Sequence, residues 1–284
     1  MVATGTVDDL VARDRRSDAA ALRVDATGRE YSYRDFCTTA WKAGHALSHL
    51  GVHAGARVAL APDPAPQPLL TLFGAACLGA RVTFDTTAEA RAVLVPAEGE
   101  GDVEGRPGRK VVVYGDAPDD PGATHWEGTV WSENPVRPPG DRSADEVVLD
   151  SAEPRSAGGE VRRTSGSRTQ SGDSEASPTP RATGKAGDSR TWSDDAEGAA
   201  YTHREVLTAA AAVAEEAGLD SATSVALRAP LTDPRAVVAG VVAPFVVGGT
   251  VVLPNGTTDA DADVVVGDDE GDGRRAYHLG DVSL

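Results

Sequence analysis

The chain has 284 residues, of which 44 are acidic and 27 basic, so that its formal net charge is −17. This length is sufficient for one large domain or two ordinary ones, and the negative field disfavours nucleic acids and anionic membranes as partners. No stretch approaches the roughly 18 apolar residues that a membrane span requires. Only two cysteines occur, Cys37 and Cys77. They exclude a disulfide framework and a cysteine-rich zinc site, and they favour a cytoplasmic location.

The first 150 residues alternate between short apolar strands and helices. Residues 1–20 are polar and are predicted to be frayed. Strand-like segments at 21–24 and 30–33 are joined by a turn, and Ser32 is placed to cap the helix that follows. Further strands are predicted at 57–61, 81–84, 92–95, 110–114 and 146–149. With a helix over 69–79, residues 21–150 are predicted to form an α/β fold, a parallel-type sheet covered by helices.

Residues 151–198 break this pattern. Ser, Thr, Gly and Pro supply about half of the segment, which cannot bury enough apolar surface to offset the entropy of ordering. We therefore predict a long disordered insert. Its basic residues are denser than those of the rest of the chain, and they are Arg155, Arg162, Arg163, Arg168, Arg181, Lys185 and Arg190. This pattern is compatible with a solvated linker or with an electrostatic tether to the acidic body.

Ordered structure is predicted to return after the insert. Thr202 begins a capping box ahead of an alanine-rich helix that ends at Gly218. A strand at 224–229, a helix at 234–247 and strands at 250–253 and 263–266 follow. Residues 199–266 alone have too few strands for a stable sheet, so they are expected to continue the sheet of residues 21–150. Residues 267–284 are predicted to be a polar tail.

Several short motifs occur in a fixed order. They are Tyr33, Leu50-Gly51-Val52, Gly55-Ala56-Arg57-Val58, Leu78-Gly79-Ala80, Thr202-His203 and the run from Gly248 to Pro254. In this order they resemble the N-terminal part of the adenylate-forming superfamily, which includes acyl-CoA synthetases, peptide-synthetase adenylation domains and luciferases. The resemblance implies an AMP-binding fold like the N-terminal subdomain of acyl-CoA synthetases. It implies ATP and Mg²⁺ as cofactors only if the chain is an active ligase.

The superfamily's phosphate loop precedes the Thr-His pair and reads Thr-Ser-Gly-(Ser/Thr)-Thr-Gly-x-Pro-Lys-Gly. An ungapped alignment puts residues 189–198 there, without the required glycines and with Glu197 in place of the lysine. An acidic side chain repels polyphosphate. A gapped alignment matches two fragments, 164–167 and 183–185, which are separated by residues 168–182. The candidate nucleotide-binding residues on this alignment are Thr164, Ser165, Gly166, Ser167 and Lys185, together with Thr202 and His203.

The last residues contain one further candidate. Tyr277-His278-Leu279-Gly280-Asp281 resembles the superfamily's Tyr-x-Thr-Gly-Asp, whose aspartate holds the ribose hydroxyls, and this implies a nucleotide-binding role for Asp281. The adenine site, the catalytic glutamate and the essential lysine of the superfamily have no counterpart that we can locate. No catalytic residue and no metal ligand is therefore assigned. His45 and His49 have the spacing of a metal-chelating pair, but a helix end suits cationic side chains equally well.

Lysine occurs only at Lys42, Lys110 and Lys185. An acidic, lysine-poor composition is typical of a salt-accumulating halophile, in which multimolar salt screens repulsion over about 3 Å. We predict a degenerate AMP-binding, acyl-CoA synthetase-like protein that is non-catalytic on its own and has a binding or regulatory role. Two alternatives stay open. One is an active ATP-dependent acyl-CoA ligase, with a divergent loop or with a separate chain that supplies the missing half. The other is an interaction protein that docks through its basic insert.

Overall fold

The computed structural model describes residues 5–151, 198–255, 262–267 and 275–284. The described residues on both sides of the segment 152–197 belong to one compact unit. The predicted insert lies almost wholly outside the described residues, so its boundaries and its disorder stay predictions.

Strands and helices alternate along the described chain. The strands are β1 (Ala20–Val24), β2 (Arg29–Ser32), β3 (Arg57–Leu60), β4 (Arg81–Thr83), β5 (Ala92–Pro96), β6 (Lys110–Tyr114), β7 (Thr124–His125), β8 (Val147–Asp150), β9 (Ala200–Thr202), β10 (Ser224–Leu227), β11 (Thr250–Leu253), β12 (Val264–Val266) and β13 (Arg275–Tyr277). The helices are α1 (Tyr33–His49), α2 (Pro66–Cys77), α3 (Trp126–Ser132), α4 (His203–Glu216), α5 (Pro234–Val237) and α6 (Ala243–Val247). The predicted fold class, α/β with parallel sheets covered by helices, is confirmed.

These strands form two sheets rather than the single sheet expected from the sequence. Sheet I has the order β13-β12-β10-β11-β1-β2 and sheet II the order β7-β6-β5-β3-β4-β8-β9. All neighbours are parallel except the pairs β1/β2 and β8/β9, which are antiparallel. Each sheet contains strands from both sides of the segment 152–197, because β1 pairs with β11 and β8 pairs with β9. The two parts of the chain therefore complete each other's sheets.

Helices fill the space between the sheets. α1 packs on β1 and β2, α2 packs on β3 and β4, and α1 and α2 pack on each other. The contact centres on aromatic rings, with Phe245 of α6 lying 4.8 Å from Phe36 and 4.9 Å from Phe73 between ring centroids. Tyr33 packs on Phe245 as well, and its hydroxyl donates to the carbonyl of Gly249 at 2.8 Å. Among the described helices, none is long and apolar enough to cross a membrane.

The helix predicted over 234–247 is interrupted by a π-helical segment. Val238–Val242 lies between α5 and α6, and the N–H of Ala243 donates to the carbonyl of Val238. Pro244, in the first turn of α6, has no N–H with which to bond the carbonyl of Gly240, so one α-helical hydrogen bond is missing where the helix type changes.

Two segments that were expected to lie outside the core are part of it. At the N-terminus, a 3-10 turn spans Val7–Val11, and the side chains of Val7 and Val11 are buried. This differs from the frayed terminus predicted from polar composition, because three buried apolar residues, Val7, Leu10 and Val11, are enough to anchor a short turn. At the C-terminus, β13 adds a strand to sheet I, and Leu279 is buried in the turn that follows.

Candidate functional site

The segment aligned with a phosphate loop connects two paired strands of sheet II. β8 ends at Asp150, which lies opposite Ala200 of β9. The N–H of Ser151 donates to the carbonyl oxygen of Ala199 at 2.7 Å. The two described ends that flank residues 152–197 therefore lie side by side at the carboxyl end of β8, shortly before the Thr202–His203 pair. Five candidate residues, Thr164, Ser165, Gly166, Ser167 and Lys185, lie outside the described residues.

A buried carboxylate lies at the base of this connection. The Asp150 side chain is only 6 % exposed, and its Oδ2 accepts a hydrogen bond from Arg57 Nε at 2.6 Å. Arg81 Nε is 3.8 Å from the same oxygen. A phosphate group at the end of β8 would therefore compete with Asp150 for these two guanidinium groups.

Thr202 uses its polar atoms to start α4. Its hydroxyl accepts a hydrogen bond from the N–H of Glu205 at 3.3 Å and donates to Glu205 Oε2 at 2.8 Å. The Thr202 N–H donates to the same carboxylate at 2.8 Å. These bonds lower the pKa of Glu205, because they stabilise its charged form. The predicted capping box is thus present, and the Thr202 hydroxyl is engaged within the protein.

His203 is fully buried at the first position of α4. Its Nδ1 accepts a hydrogen bond from the N–H of Val7 at 3.0 Å, which requires an unprotonated Nδ1. Its Nε2 is buried and has no hydrogen-bond partner among the described residues. Burial lowers the pKa of His203, although the carboxylate of Asp8 acts in the opposite direction. The neutral imidazole therefore ties the N-terminal turn to α4.

Asp281 lies on the other sheet. It ends the 3-10 turn Leu279–Asp281 that follows β13, the edge strand of sheet I, and its side chain is exposed. Thr202 instead ends β9, an edge strand of sheet II, and His203 begins α4. The described candidates thus form one adjacent pair and one separate residue, and their nucleotide-binding role stays a prediction.

A cleft of about 690 Å³ lies beside the start of α4, and sequence reasoning did not find it. We call it the polar cleft; its charged lining residues are Asp8, Asp9, Arg137, Asp141, Arg142 and Arg204. Arg137 pairs with Asp8 and Asp9, and Arg204 pairs with Asp145 at 2.9 Å. The guanidinium of Arg142 donates to the carbonyl of Cys77. Most of the charge in this cleft is therefore compensated within the protein.

The histidine pair on α1 is bonded to the loop after α3. His45 Nε2 lies 2.8 Å from the carbonyl oxygen of Val136, and His49 Nδ1 lies 2.8 Å from Glu133 Oε1. Across the residues that the structure describes, no group of three or more His, Cys, Asp or Glu side chains is arranged to hold a metal ion. The two histidines thus connect α1 to a surface loop.

No family model and no curated protein matches the sequence. Solved structures do resemble the fold. The anthranilate CoA ligase AuaEII in complex with anthranoyl-AMP matches with a TM-score of 0.69 and 16 % identity, covering 93 % of this chain and 50 % of that one. A benzoate CoA ligase from Burkholderia xenovorans LB400 matches with a TM-score of 0.66 and 18 % identity, with coverages of 93 % and 50 %. The N-terminal domain of FACL13 from Mycobacterium tuberculosis matches with a TM-score of 0.63 and 14 % identity, with coverages of 93 % and 62 %.

The chain therefore has the fold of the N-terminal part of acyl- and aryl-CoA ligases, and it spans about half the length of the two ligases. The resemblance inferred from the sequence motifs is confirmed at the level of fold.

Proposed function

Because the chain has the fold of the N-terminal part of CoA ligases, we propose that it is a degenerate AMP-binding, ligase-like protein with a binding or regulatory role. On this proposal the chain does not form acyl-adenylates by itself. The observation that carries the proposal is the charge at the connection between β8 and β9. Asp150 is buried at the outgoing end, where it is paired with Arg57, and Glu197 stands at the lysine position of the returning end.

Adenylyl transfer depends on positioned positive charge and on backbone donors around the phosphates. The residues that align without gaps with the phosphate loop instead include Asp194, Asp195 and Glu197. We therefore expect Mg²⁺-ATP to bind no better than millimolar, which corresponds to about −4 kcal/mol. We also expect no carboxylate-dependent exchange of pyrophosphate into ATP.

The test is calorimetric titration of the full chain with Mg²⁺-ATP in molar KCl, alongside a pyrophosphate exchange assay. Glu197→Lys should not restore binding, because one lysine does not supply the glycines of the loop. Glu197→Gln is the matched control, since it removes the negative charge without adding a positive one. Micromolar binding by the wild-type chain contradicts the proposal.

An active ligase is the second candidate, and one observation supports it. β8 and β9 are paired, and the bond between Ser151 and Ala199 joins the two described ends of the connection. On this candidate the fragments at 164–167 and 183–185 act together as the phosphate loop. In that case ATP binding is micromolar and is lost in Ser165→Ala and Lys185→Gln.

This second candidate also needs the remainder of a ligase, which a separate chain would supply. A neighbouring reading frame that encodes the adenine site and the C-terminal lysine would favour it. Pyrophosphate exchange that appears only when the two chains are mixed would establish it.

A further inference from the structure

Five arginines come together at the amino ends of neighbouring strands in sheet II. Arg57 begins β3, Arg81 begins β4, and Arg91 directly precedes β5. Arg106 and Arg109 lie in the loop that leads into β6. With Glu89 they line a cleft of about 620 Å³, which we call the arginine cleft. Because β6, β5, β3 and β4 are adjacent and parallel, their amino ends meet at one edge of the sheet.

Backbone carbonyls orient two of these guanidinium groups without neutralising them. Arg91 donates to the carbonyl of Gly108 at 2.8 Å. Arg109 donates to the carbonyls of Thr86 and Ala88, at 2.5 and 3.1 Å. A carbonyl oxygen accepts a hydrogen bond but carries no net charge, so both side chains keep a full positive charge in a fixed position.

The carboxylates around the arginine cleft are fewer than its guanidinium groups. Asp150 is bonded to Arg57 and lies 3.8 Å from Arg81, and Glu104 is bonded to Arg106 at 3.1 Å. Asp85 and Glu104 also act electrostatically on Arg109. Glu89 is the one carboxylate among the described residues that line the cleft. Five guanidinium groups face four carboxylates, so a small excess of positive charge remains here, in a chain whose net charge is −17.

Two donors in this cluster lack a hydrogen-bond partner among the described residues. They are the buried Nε atoms of Arg81 and Arg109, and Arg81 Nε lies 3.8 Å from Asp150 Oδ2, beyond hydrogen-bond distance. Burial lowers the pKa of Arg109, and the neighbouring charge of Arg106 acts in the same direction. A buried donor without an acceptor is costly, and a bound anion is one of the groups that can satisfy it.

We propose that the arginine cleft binds a small anion that carries several negative charges, of the condensed-phosphate type. The volume of the cleft lies within the range of small-molecule sites, and planar guanidinium groups match phosphate oxygens in geometry and charge. The inference goes beyond the proposed function. Two of its arginines, Arg57 and Arg81, contact Asp150 at the carboxyl end of β8, from which the segment aligned with the phosphate loop departs. The other three lie at the amino ends of β5 and β6, which β3 and β4 separate from β8.

The test is calorimetric titration of the full chain with inorganic tripolyphosphate, without Mg²⁺. It is carried out at one KCl concentration at which circular dichroism shows a folded chain. We expect one site, and a loss of affinity of about tenfold or more in Arg109→Gln and in Arg91→Gln. Arg106→Gln is a milder second variant, because that side chain is exposed and its ion pair among the described residues is with the exposed Glu104. The thermal midpoint of each variant is measured to show that it folds.

The matched control is Arg34→Gln, which removes an exposed arginine whose partner is the exposed Asp18. An equal loss of affinity in this control would mean general electrostatic attraction and would overturn the proposal. So would the absence of binding at millimolar tripolyphosphate.

A loss of affinity in Lys185→Gln but not in Arg109→Gln would assign the anion to the interrupted loop instead. The two proposals can therefore fail separately. The anion site is tested with tripolyphosphate, and the proposed function is tested with Mg²⁺-ATP. Binding of an acidic protein or a nucleic acid in preference to tripolyphosphate would also overturn it.

Discussion

Phe245 is expected to hold together the two parts of the chain that flank residues 152–197. It lies on α6, after that segment, whereas its partners Phe36 and Phe73 lie on α1 and α2, before it. Phe245 is fully buried. Replacing it by alanine removes a ring at the point where the two parts meet.

The magnitude follows from burial and ring contacts. A buried Phe→Ala change costs about 3 to 5 kcal/mol, because apolar contact is lost and a cavity is left. Three aromatic neighbours place Phe245→Ala towards the upper part of that range. In a domain of this size, such a loss lowers the midpoint of thermal unfolding by roughly 6 to 20 °C.

The assay uses a variant with a specific protease site inside residues 152–197. After cleavage, the two fragments of the otherwise wild-type chain should co-elute in size-exclusion chromatography without denaturant, since strands of both fragments share each sheet. Cleaved Phe245→Ala should dissociate at lower urea. Trp131→Ala is the control, because this large side chain is 80 % exposed and its loss should cost no more than about 1 kcal/mol.

Two results would refute this reasoning. If the fragments of the otherwise wild-type chain separate without denaturant, the parts fold independently and the prediction of one domain is wrong. If Phe245→Ala and Trp131→Ala are equally stable, the ring cluster does not join the two parts.

Acid and salt give two further predictions. Burial lowers the pKa of His203, so below about pH 6.5 the unfolded state binds more protons than the folded state, and stability falls with decreasing pH. His203→Asn keeps an acceptor for the N–H of Val7 but does not titrate. Between pH 8 and 5, the free energy of unfolding obtained from urea titrations should therefore fall less steeply in this variant than in the wild type, with a difference of at most about 1.4 kcal/mol per pH unit. Equal slopes in the two proteins would contradict the assignment. A net charge of −17 also predicts that the midpoint of thermal unfolding rises from dilute buffer to molar KCl, because salt weakens the repulsion among carboxylates. An unchanged midpoint would contradict the inference of a halophile.

Helices and strands whose ends are set by interactions between residues close in sequence could be predicted from the sequence. Ser32 caps α1 by accepting a hydrogen bond from the N–H of Asp35, and Thr202 with Glu205 forms the predicted capping box of α4. Both depend on residues three apart, so the sequence pattern contains the whole interaction. The short apolar strands were recognised for the same reason, and their alternation with helices indicated the fold class.

Other features depend on residues that are far apart in the chain. The pairing of β1 with β11 and the bond between Val7 and His203 join positions separated by most of the chain. Neither apolar alternation nor a turn motif specifies such a partner. This explains why the sequence predicted one sheet where the structure has two. It also explains why the N-terminal turn was expected to be frayed. The sequence identified His203 as a candidate, but the structure alone places its imidazole in a tertiary hydrogen bond.

The arginine cleft is the clearest case of a feature decided by tertiary structure. Arg57, Arg81 and Arg91 each stand at the start of a strand, where a single charged residue is unremarkable in a sequence. They meet because β3 lies between β4 and β5, an order that differs from the order along the chain. Sheet order is set by the packing of both sheets around shared helices, a long-range property of the whole fold. The sequence thus indicated most of the central strands and helices, whereas the assembly decided which charges share a cleft.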